Sequence, residues 1–452
     1  MESTDPVDMD EIPATPPDLI IEGGVALTMA QDPGLIEHAR IIISGGQITD
    51  IQSARIPPPL SNPETEVIDA RDSIILPGLI NCHTHTAMTL FRGLADDLPL
   101  KTWLFERIFP AEREFLDPET VYYGALLGCM EMIASGTTCF ADGYFFQDET
   151  VRAAHEAGLR GLIAQGVIDL PAPGVPDPAE NLSRGREFIE RWLHFSPRIR
   201  PGLFCHSPIT CSEETLIRSM EISQGHHLPL QIHLSETAEE IQDILNKSGM
   251  RPAQYLDQLG LLNPGLIAAH ALHLDEKEMD LIRERGVNLV HLPESNMKLA
   301  SGTGPISRML RRGVNIGLGT DGACSNNDLD LFCEMDTAAK LAKAVEHDPT
   351  SLSAGEALHM ATVGGASALG LQDYIGTLER GKRADIITVD LTQPHLCPLH
   401  NPVSTLVYAA NGGDVKDVIV DGIVLMKNRK FTMLDPDPVM AKMQEMAKRI
   451  AP

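Results

Sequence analysis

The sequence predicts an α/β protein: a (β/α)8 barrel of the TIM type carrying a small β-sandwich domain built from both chain ends. Three observations predict it. Between about residues 77 and 380, eight short apolar runs alternate with longer amphipathic segments. Runs of a different texture, β-branched and broken by Gly-Gly, lie before and after that middle. Histidines and carboxylates gather just past the ends of several of the eight runs. Repeated βα units imply a parallel sheet, and eight of them imply closure. An open doubly wound sheet is the alternative, but no Gly-x-Gly-x-x-Gly follows the first run to favour it.

Taken in order, residues 1–17 ("MESTDPVDMDEIPATPP") are acidic and proline-rich, which predicts a loose arm. Residues 18–75 contain "DLIIEGGVALTM", "ARIIISGGQITDIQ" and "EVIDARDSIIL", the pattern of antiparallel strands joined by tight turns. The same texture returns over 381–435 in "GKRADIITVDL" and "VSTLVYAANGGDVKDVIVDGIVLMKN", so the two ends are expected to form one domain. The barrel occupies 76–380, with strands predicted at "SIILPGL", "TTCFAD", "GLIAQGV", "RPGLFCHS", "PLQIHLS", "GLIAAHA", "VNLVHLPES" and "VNIGLGTD". Between them, segments such as "DPETVYYGALLGCMEMIASG" and "DEKEMDLIRERG" have helical spacing. Residues 436–452 begin Pro-Asp-Pro and continue with helical apolar spacing, which predicts a C-terminal helix.

The bulk numbers exclude several function classes. A formal net charge of -27 disfavours nucleic acid and anionic membranes as partners, because both need clustered Lys and Arg. No run of 18 apolar residues and no apolar signal core is present, so neither a membrane span nor a leader is expected. The eight cysteines are scattered without a Cys-x-x-Cys pair, as in a chain whose thiols stay reduced in the cytoplasm.

The candidate site follows from the rule that a barrel of this kind works at the C-terminal ends of its strands. His83 and His85 in "INCHTH" follow the first run, and His206 ends "GLFCH". His233 and Glu236 end "LQIHLSE", His270 ends "LIAAH", and Asp321 ends "NIGLGTD". Glu294, Ser295 and Asn296 follow "VNLVHLP". A His-x-His pair alone says little: 16 histidines in 452 residues give roughly 0.6 such pairs by chance. Its company at the other strand ends is what packing does not explain. Residues i and i+2 of a strand face one side, so His83 and His85 can reach one ion while Cys82 turns away as a packing residue. Three histidines and an aspartate suit a catalytic Zn²⁺, and Fe²⁺ accepts the same donors. His273, past a strand end, and His226 and His227, before a strand, are expected to be structural.

These residues also carry a resemblance. "LPGLINCHTHTAMTLFRGLADDLPLKTWL", "QIHLSET", "HLPESNMKLASG" and "GLGTDGACSNNDLDLFCEM" together resemble the amidohydrolase superfamily, and within it the 5-methylthioadenosine/S-adenosylhomocysteine deaminase family. The likeness covers almost the whole chain. It implies a single metal held by His83, His85, His233 and Asp321, with Glu236 and His270 acting around the reacting ring. It further implies that Glu112 in "FPAERE" binds the ribose, that His206 in "CHSPIT" contacts substrate, and that Trp103 in "KTWL" lines the base pocket. A homo-oligomer is implied as well. The chain departs from the pattern in "GLIAQGVID", where an arginine for a substrate carboxylate is expected and Gln165 stands. Arg184 and Arg186 in "NLSRGREF" are the candidate replacements, and the departure favours 5-methylthioadenosine or 5'-deoxyadenosine over S-adenosylhomocysteine.

The chemistry expected is hydrolytic deamination of a 5'-modified adenosine. Metal-activated water is the nucleophile, Asp321 takes its proton, Glu236 protonates the ring nitrogen, and His270 bonds the developing oxygen. Two other readings compete: a related enzyme acting on guanine or an s-triazine ring, and a barrel without catalysis that serves as a binding partner.

Overall fold

The computed structural model describes residues 17–32, 34–53 and 64–450. Apart from Pro17, the arm expected at 1–17 lies outside the described residues. Eight parallel strands pair in sequence order: β1 Leu79–Thr84, β2 Thr137–Tyr144, β3 Arg160–Val167, β4 Ile199–Cys205, β5 Leu230–Leu234, β6 Leu266–His270, β7 Asn288–His291 and β8 Ile316–Leu318. The expected (β/α)8 barrel is thus the observed one. Every residue of β2 and β3 is buried, which is why these strands read as continuous apolar runs and not as alternating ones.

The intervening helices start where capping residues stand. Asp117 accepts a hydrogen bond from the Thr120 amide and begins the Pro118–Ala134 helix, with proline at its first position. Asp275 and Glu278 form a reciprocal capping pair at the start of Glu276–Arg285. Among the described residues no helix is long and apolar enough to cross a membrane.

The barrel closes without a regular ladder between β1 and β8. Instead the Asp321 amide donates to the His83 carbonyl (3.0 Å), and the Thr320 amide to Asn81 Oδ1 (3.2 Å). Asn81 Nδ2 donates to Thr320 Oγ1 (2.8 Å) and Thr84 Oγ1 to the Asp321 carbonyl (3.0 Å). A short helix, Gly365–Ala368, and the residues after it pack Ala366, Leu369 and Ile375 against Ile80, Cys82, Cys139 and Ala269 of the barrel. Cys82 is a packing residue: a methyl group at Gly317 would lie 2.5 Å from its sulfur.

The strands of the two chain ends form two sheets with one shared core. A seven-stranded sheet brings Ile386–Asp390 against Ser73–Pro77, with Ile386 opposite Pro77. A four-stranded sheet contains Leu19–Glu22 and Ala39–Ser44. Ile21, Ile41, Ile43 and Ile68 of the second sheet meet Ile75, Ile386 and Ile419 of the first. The final segment is helical over Pro436–Ile450.

Two sequence readings are corrected here. "SIILPGL" is not one barrel strand. Ser73–Pro77 belongs to the end sheet, and the chain changes partners at Gly78, whose amide donates to the Asp385 carbonyl (2.9 Å). Leu79 then takes up the Gly136 carbonyl (3.0 Å) and starts the barrel. Only glycine fits the crossing point, because a Cβ there would stand 2.0 Å from Thr138 Oγ1. The end sheets are also not wholly antiparallel. Leu19–Glu22 runs parallel to Glu66–Asp69, and Val25–Leu27 to Ser73–Pro77.

The barrel is pinned to the end domain by a buried ion pair. Arg160, the first residue of β3, binds Asp385 in a two-pronged contact, Nε to Oδ2 at 2.8 Å and Nη2 to Oδ1 at 3.0 Å. Both side chains are under 8% exposed (7% and 2%), so removal of one partner strands a charge. Asp385→Ala is expected to lower unfolding stability by about 3–5 kcal/mol, measured by denaturant titration. A loss under about 1 kcal/mol would show that water reaches the arginine.

Candidate active site

The first ligand pair does not sit on a regular strand. Between Asn81, opposite Phe140, and Thr84, opposite Asp142, β1 advances three residues while β2 advances two. This bulge re-aims His83. The strand ends at Thr84, and His85 opens a short 3₁₀ turn over Thr86–Phe91. The turn is held by buried Asp142, whose Oδ1 accepts from the Thr86 amide (2.5 Å) and hydroxyl (2.6 Å). Both imidazoles nevertheless converge as the alternation rule predicts, with ring centroids 4.9 Å apart.

Four side chains meet at one point. His83 Nε2 lies 3.1 Å from His233 Nε2, and Asp321 Oδ1 lies 3.3 Å from His85 Nε2 and 3.7 Å from His83 Nε2. One ligand atom from each of His83, His85, His233 and Asp321 lies within 4.8 Å of the others. The donor chemistry fits a divalent metal. His85 Nδ1 is 2.5 Å from the Gly143 carbonyl, which can only accept, so Nδ1 carries the proton and Nε2 offers its lone pair inward. Burial, reinforced by neighbouring imidazoles, holds His83 and His233 well below the usual histidine range, in the neutral form that ligates. Burial by itself would raise Asp321, but His85, His270 and His83 outweigh it and hold the carboxyl at about 2. Its other oxygen, Oδ2, accepts from Ser295 Oγ (2.7 Å) and Ser325 Oγ (2.8 Å).

Beside this cluster stand Glu236 and His270, with Oε2 and Nε2 3.7 Å apart. Asn296 Oδ1 lies 2.8 Å from His270 Nδ1, so Nδ1 donates and Nε2 faces the cavity. Burial raises the Glu236 carboxyl, with His270 opposing it. Burial lowers His270, but Glu236 and Asp321 more than reverse this and raise it. The two are therefore coupled in a buried site, each shifted toward holding a proton. Glu236 is aimed by Glu240, whose two oxygens accept the Ser235 (2.9 Å) and Glu236 (2.7 Å) amides. Ser235 itself takes a positive φ of 51°, a bend that these two bonds hold in place.

The opposite wall comes from the segment before the first long helix. Trp103 and Glu112 line the same cavity as His85, His206, His233 and Asp321. Trp103 lies in a wide π-type turn over Trp103–Ile108, and its buried indole Nε1 has no hydrogen-bond partner. Glu112 is 3% exposed and accepts the Tyr144 hydroxyl at 2.5 Å. Burial pushes the Glu112 carboxyl up to about 7 against the opposing pull of that bond. His206 bonds Thr210 Oγ1 through Nδ1 (2.9 Å), and burial lowers it to about 4.

The structure thus gathers all nine residues singled out for the site: Trp103, Glu112, His206, Glu236 and His270 around the cluster of His83, His85, His233 and Asp321. Glu294, also at a strand end, is used elsewhere: its Oε1 accepts from Thr337 (2.8 Å). His273 donates to the Ser301 carbonyl (2.7 Å) and braces a loop. His226 ends a helix and His227 occupies the turn before β5. Sequence reasoning missed Asp142, Tyr144, Glu240 and Ser325. Asp142 and Tyr144 sit at the end of β2, where the strand-end rule could have found them. Glu240 carried no such signal, because an acidic residue in the first turn of a helix is ordinary.

Comparison with known proteins agrees with this geometry. Residues 74–425 match the amidohydrolase family. The chain is 46% identical to a 5-methylthioadenosine/S-adenosylhomocysteine deaminase of Syntrophobacter fumaroxidans, covering 96% of this chain and 99% of that one. It is 44% identical to a 5'-deoxyadenosine deaminase of Methanosarcina mazei, over 96% and 98% of the two chains. An adenosine deaminase of Xanthomonas campestris, solved with bound zinc, superposes with a TM-score of 0.93 at 39% identity, covering 97% and 99%.

The raised Glu112 carboxyl makes stability depend on pH. The unfolded chain loses this proton near 4.5 and the folded chain near 7, so stability is lost as pH rises through that window. The loss totals roughly 3 kcal/mol. Glu112→Gln keeps an acceptor for Tyr144 without the charge. Its Tm is therefore expected to rise relative to wild type between pH 5 and pH 8. A difference that stays constant across this range would mean that the carboxyl is not raised.

Proposed function

Because the chain belongs to the amidohydrolase family, we propose that it is a metal-dependent hydrolytic deaminase of 5'-modified adenosines, releasing the inosine analogue and ammonia. The observation that carries this reading is Glu112. It is a buried carboxylate fixed by Tyr144 on the wall facing the cluster of histidines and Asp321. An acceptor of that kind suits the two ribose hydroxyls, which a free base or a triazine ring lacks. The names of the two deaminase relatives point the same way.

His83, His85, His233 and Asp321 would hold the metal, zinc by analogy with the Xanthomonas campestris protein, although their donors also suit Fe²⁺. Bound there, it supplies Lewis acidity and brings a water's pKa toward about 7. The side chains divide the remaining work. Trp103 Nε1, buried without a partner, offers a donor to the base, and His206 borders the base on another side. Glu236, whose carboxyl burial raises, gives its proton to the ring nitrogen beside the amino-bearing carbon, which makes that carbon more electrophilic. Water adds its oxygen to the carbon and passes a proton to Asp321, whose carboxyl is held ionised. His270 Nε2, left without a proton while Nδ1 donates to Asn296, accepts from the new hydroxyl. Asp321 returns its proton to the amino group, whose bond to carbon breaks to release ammonia, while the hydroxyl proton passes by way of His270 Nε2 to Glu236 and leaves the carbonyl. The eight free cysteines suit a reducing cytoplasm.

Three measurements test the proposal. Elemental analysis of the purified chain is expected to give about one divalent metal per chain, lost in His83→Ala and His233→Ala; metal-free wild type would support a non-catalytic barrel. Glu236→Gln and Asp321→Asn are expected to cut kcat on 5-methylthioadenosine by at least about 10²-fold with the fold intact by circular dichroism. Glu112→Ala is expected to raise KM for nucleosides. If the protein instead released chloride or amine from another heteroaromatic ring, untouched by Glu112→Ala, the guanine- or triazine-type reading would replace this one.

A further inference from the structure

A second cavity of about 600 Å³ opens beyond Glu112. Phe109, Glu112, Phe145 and Ile168 line both it and the inner cavity, so the two adjoin at the residue assigned above to the ribose. A ribose held by Glu112 lies at the boundary of the two spaces, with the outer one in reach of its 5' substituent. That space is far larger than a methyl or methylthio group fills. Its walls are apolar: Phe105 on one side, and on the other the loop from Leu170 to Pro176 with its three prolines. Phe105 and Leu170 are 52% and 40% exposed, an apolar surface that the described residues leave uncovered.

Only two charged residues line the outer cavity among the described residues, Glu112 and Arg113. Glu112 is engaged by Tyr144. Arg113 is exposed and makes no hydrogen bond or ion pair among the described residues, although acidic residues outnumber basic ones 63 to 36. The arginines suggested by the sequence do not serve here. Arg184 is bound to Glu180 (3.0 Å), and Arg186 lines a separate surface groove beside Glu187 and Glu214. Gln165 is turned to the Gly166 carbonyl (3.4 Å) and lines neither cavity.

We propose that Arg113 determines specificity at the far end of the substrate. The outer cavity takes a long 5'-thioether tail, its apolar walls cover the methylene and sulfur atoms, and the guanidinium binds a terminal carboxylate. The inference rests on the nucleoside reading above and deepens it. It reverses the sequence expectation that the missing arginine at Gln165 confines the enzyme to short tails. An arginine suits the task because its fork pairs with both carboxylate oxygens.

The test uses the full-length, zinc-loaded protein and reads the ratio of kcat/KM for S-adenosylhomocysteine to that for 5-methylthioadenosine. Arg113→Gln is expected to lower the ratio roughly 10- to 100-fold, the range for losing a hydrogen bond to a charged group. Arg113→Glu should lower it further, and Arg113→Lys should restore part of it. A ratio unmoved by Arg113→Glu overturns the assignment, as does a wild type that deaminates 5-methylthioadenosine but not S-adenosylhomocysteine. Failure to deaminate either nucleoside overturns the deaminase reading itself and this inference with it. The 5-methylthioadenosine arm tells the two failures apart.

Discussion

The site depends on how the first and eighth strands meet. β8 is only three residues long and forms no regular ladder with β1. Asn81 does the joining: its side-chain amide donates to the Thr320 hydroxyl and its carbonyl accepts the Thr320 amide, as a neighbouring strand would. The Asp321 amide then reaches the His83 carbonyl. Asp321, at a positive φ of 61°, consequently hangs its carboxylate over the mouth beside His83 and His85. Residues 238 positions apart in sequence are set within 4 Å by backbone hydrogen bonding, and the side chains inherit that precision.

The electrostatics follow from the same crowding. Five histidines and three carboxylates gather in one buried volume, so their protonation states are decided among themselves. The two imidazoles whose Nε2 atoms face each other at 3.1 Å cannot both carry a proton there. Glu236 is driven the other way, toward holding its proton. A single cavity thus lowers the proton affinity of the imidazoles at one wall and raises that of a carboxyl beside them. Another buried carboxylate, Glu240, is spent on the backbone, where it holds the bend that delivers Glu236.

Much of this was legible in the sequence because strand ends in a barrel have one meaning. His83, His85, His233, His270 and Asp321 each close a buried run, and no packing pattern puts charge-capable residues at those positions repeatedly. The barrel order and the helices capped by Asp117 and Asp275 were legible for the same reason: periodicity and caps are local signals. What was hidden is non-local. The bulge between Asn81 and Thr84 is a property of two strands. The change of sheet at Gly78 depends on Thr138 standing 60 residues away. Glu240 and Tyr144 read as an ordinary first-turn acid and an ordinary strand aromatic until their hydrogen bonds are seen. Arg113 was overlooked because specificity for a tail depends on which wall is empty of other charges.

The pairing of Ser73–Pro77 with Ile386–Asp390 bears on how the protein is made. Some 309 residues separate Pro77 from Ile386, so a ribosome working at about 5–20 residues per second leaves the first strand without its partner for about 15–60 s. During that interval Ile74, Ile75 and Leu76, fully buried in the finished protein, have nothing to pair with on that edge. The eight βα units, whose strand contacts are mostly between neighbours in sequence, can assemble in order as they emerge. The end domain is therefore completed only after the barrel strands have been made, and its open strand is the segment a chaperone would meet on the nascent chain.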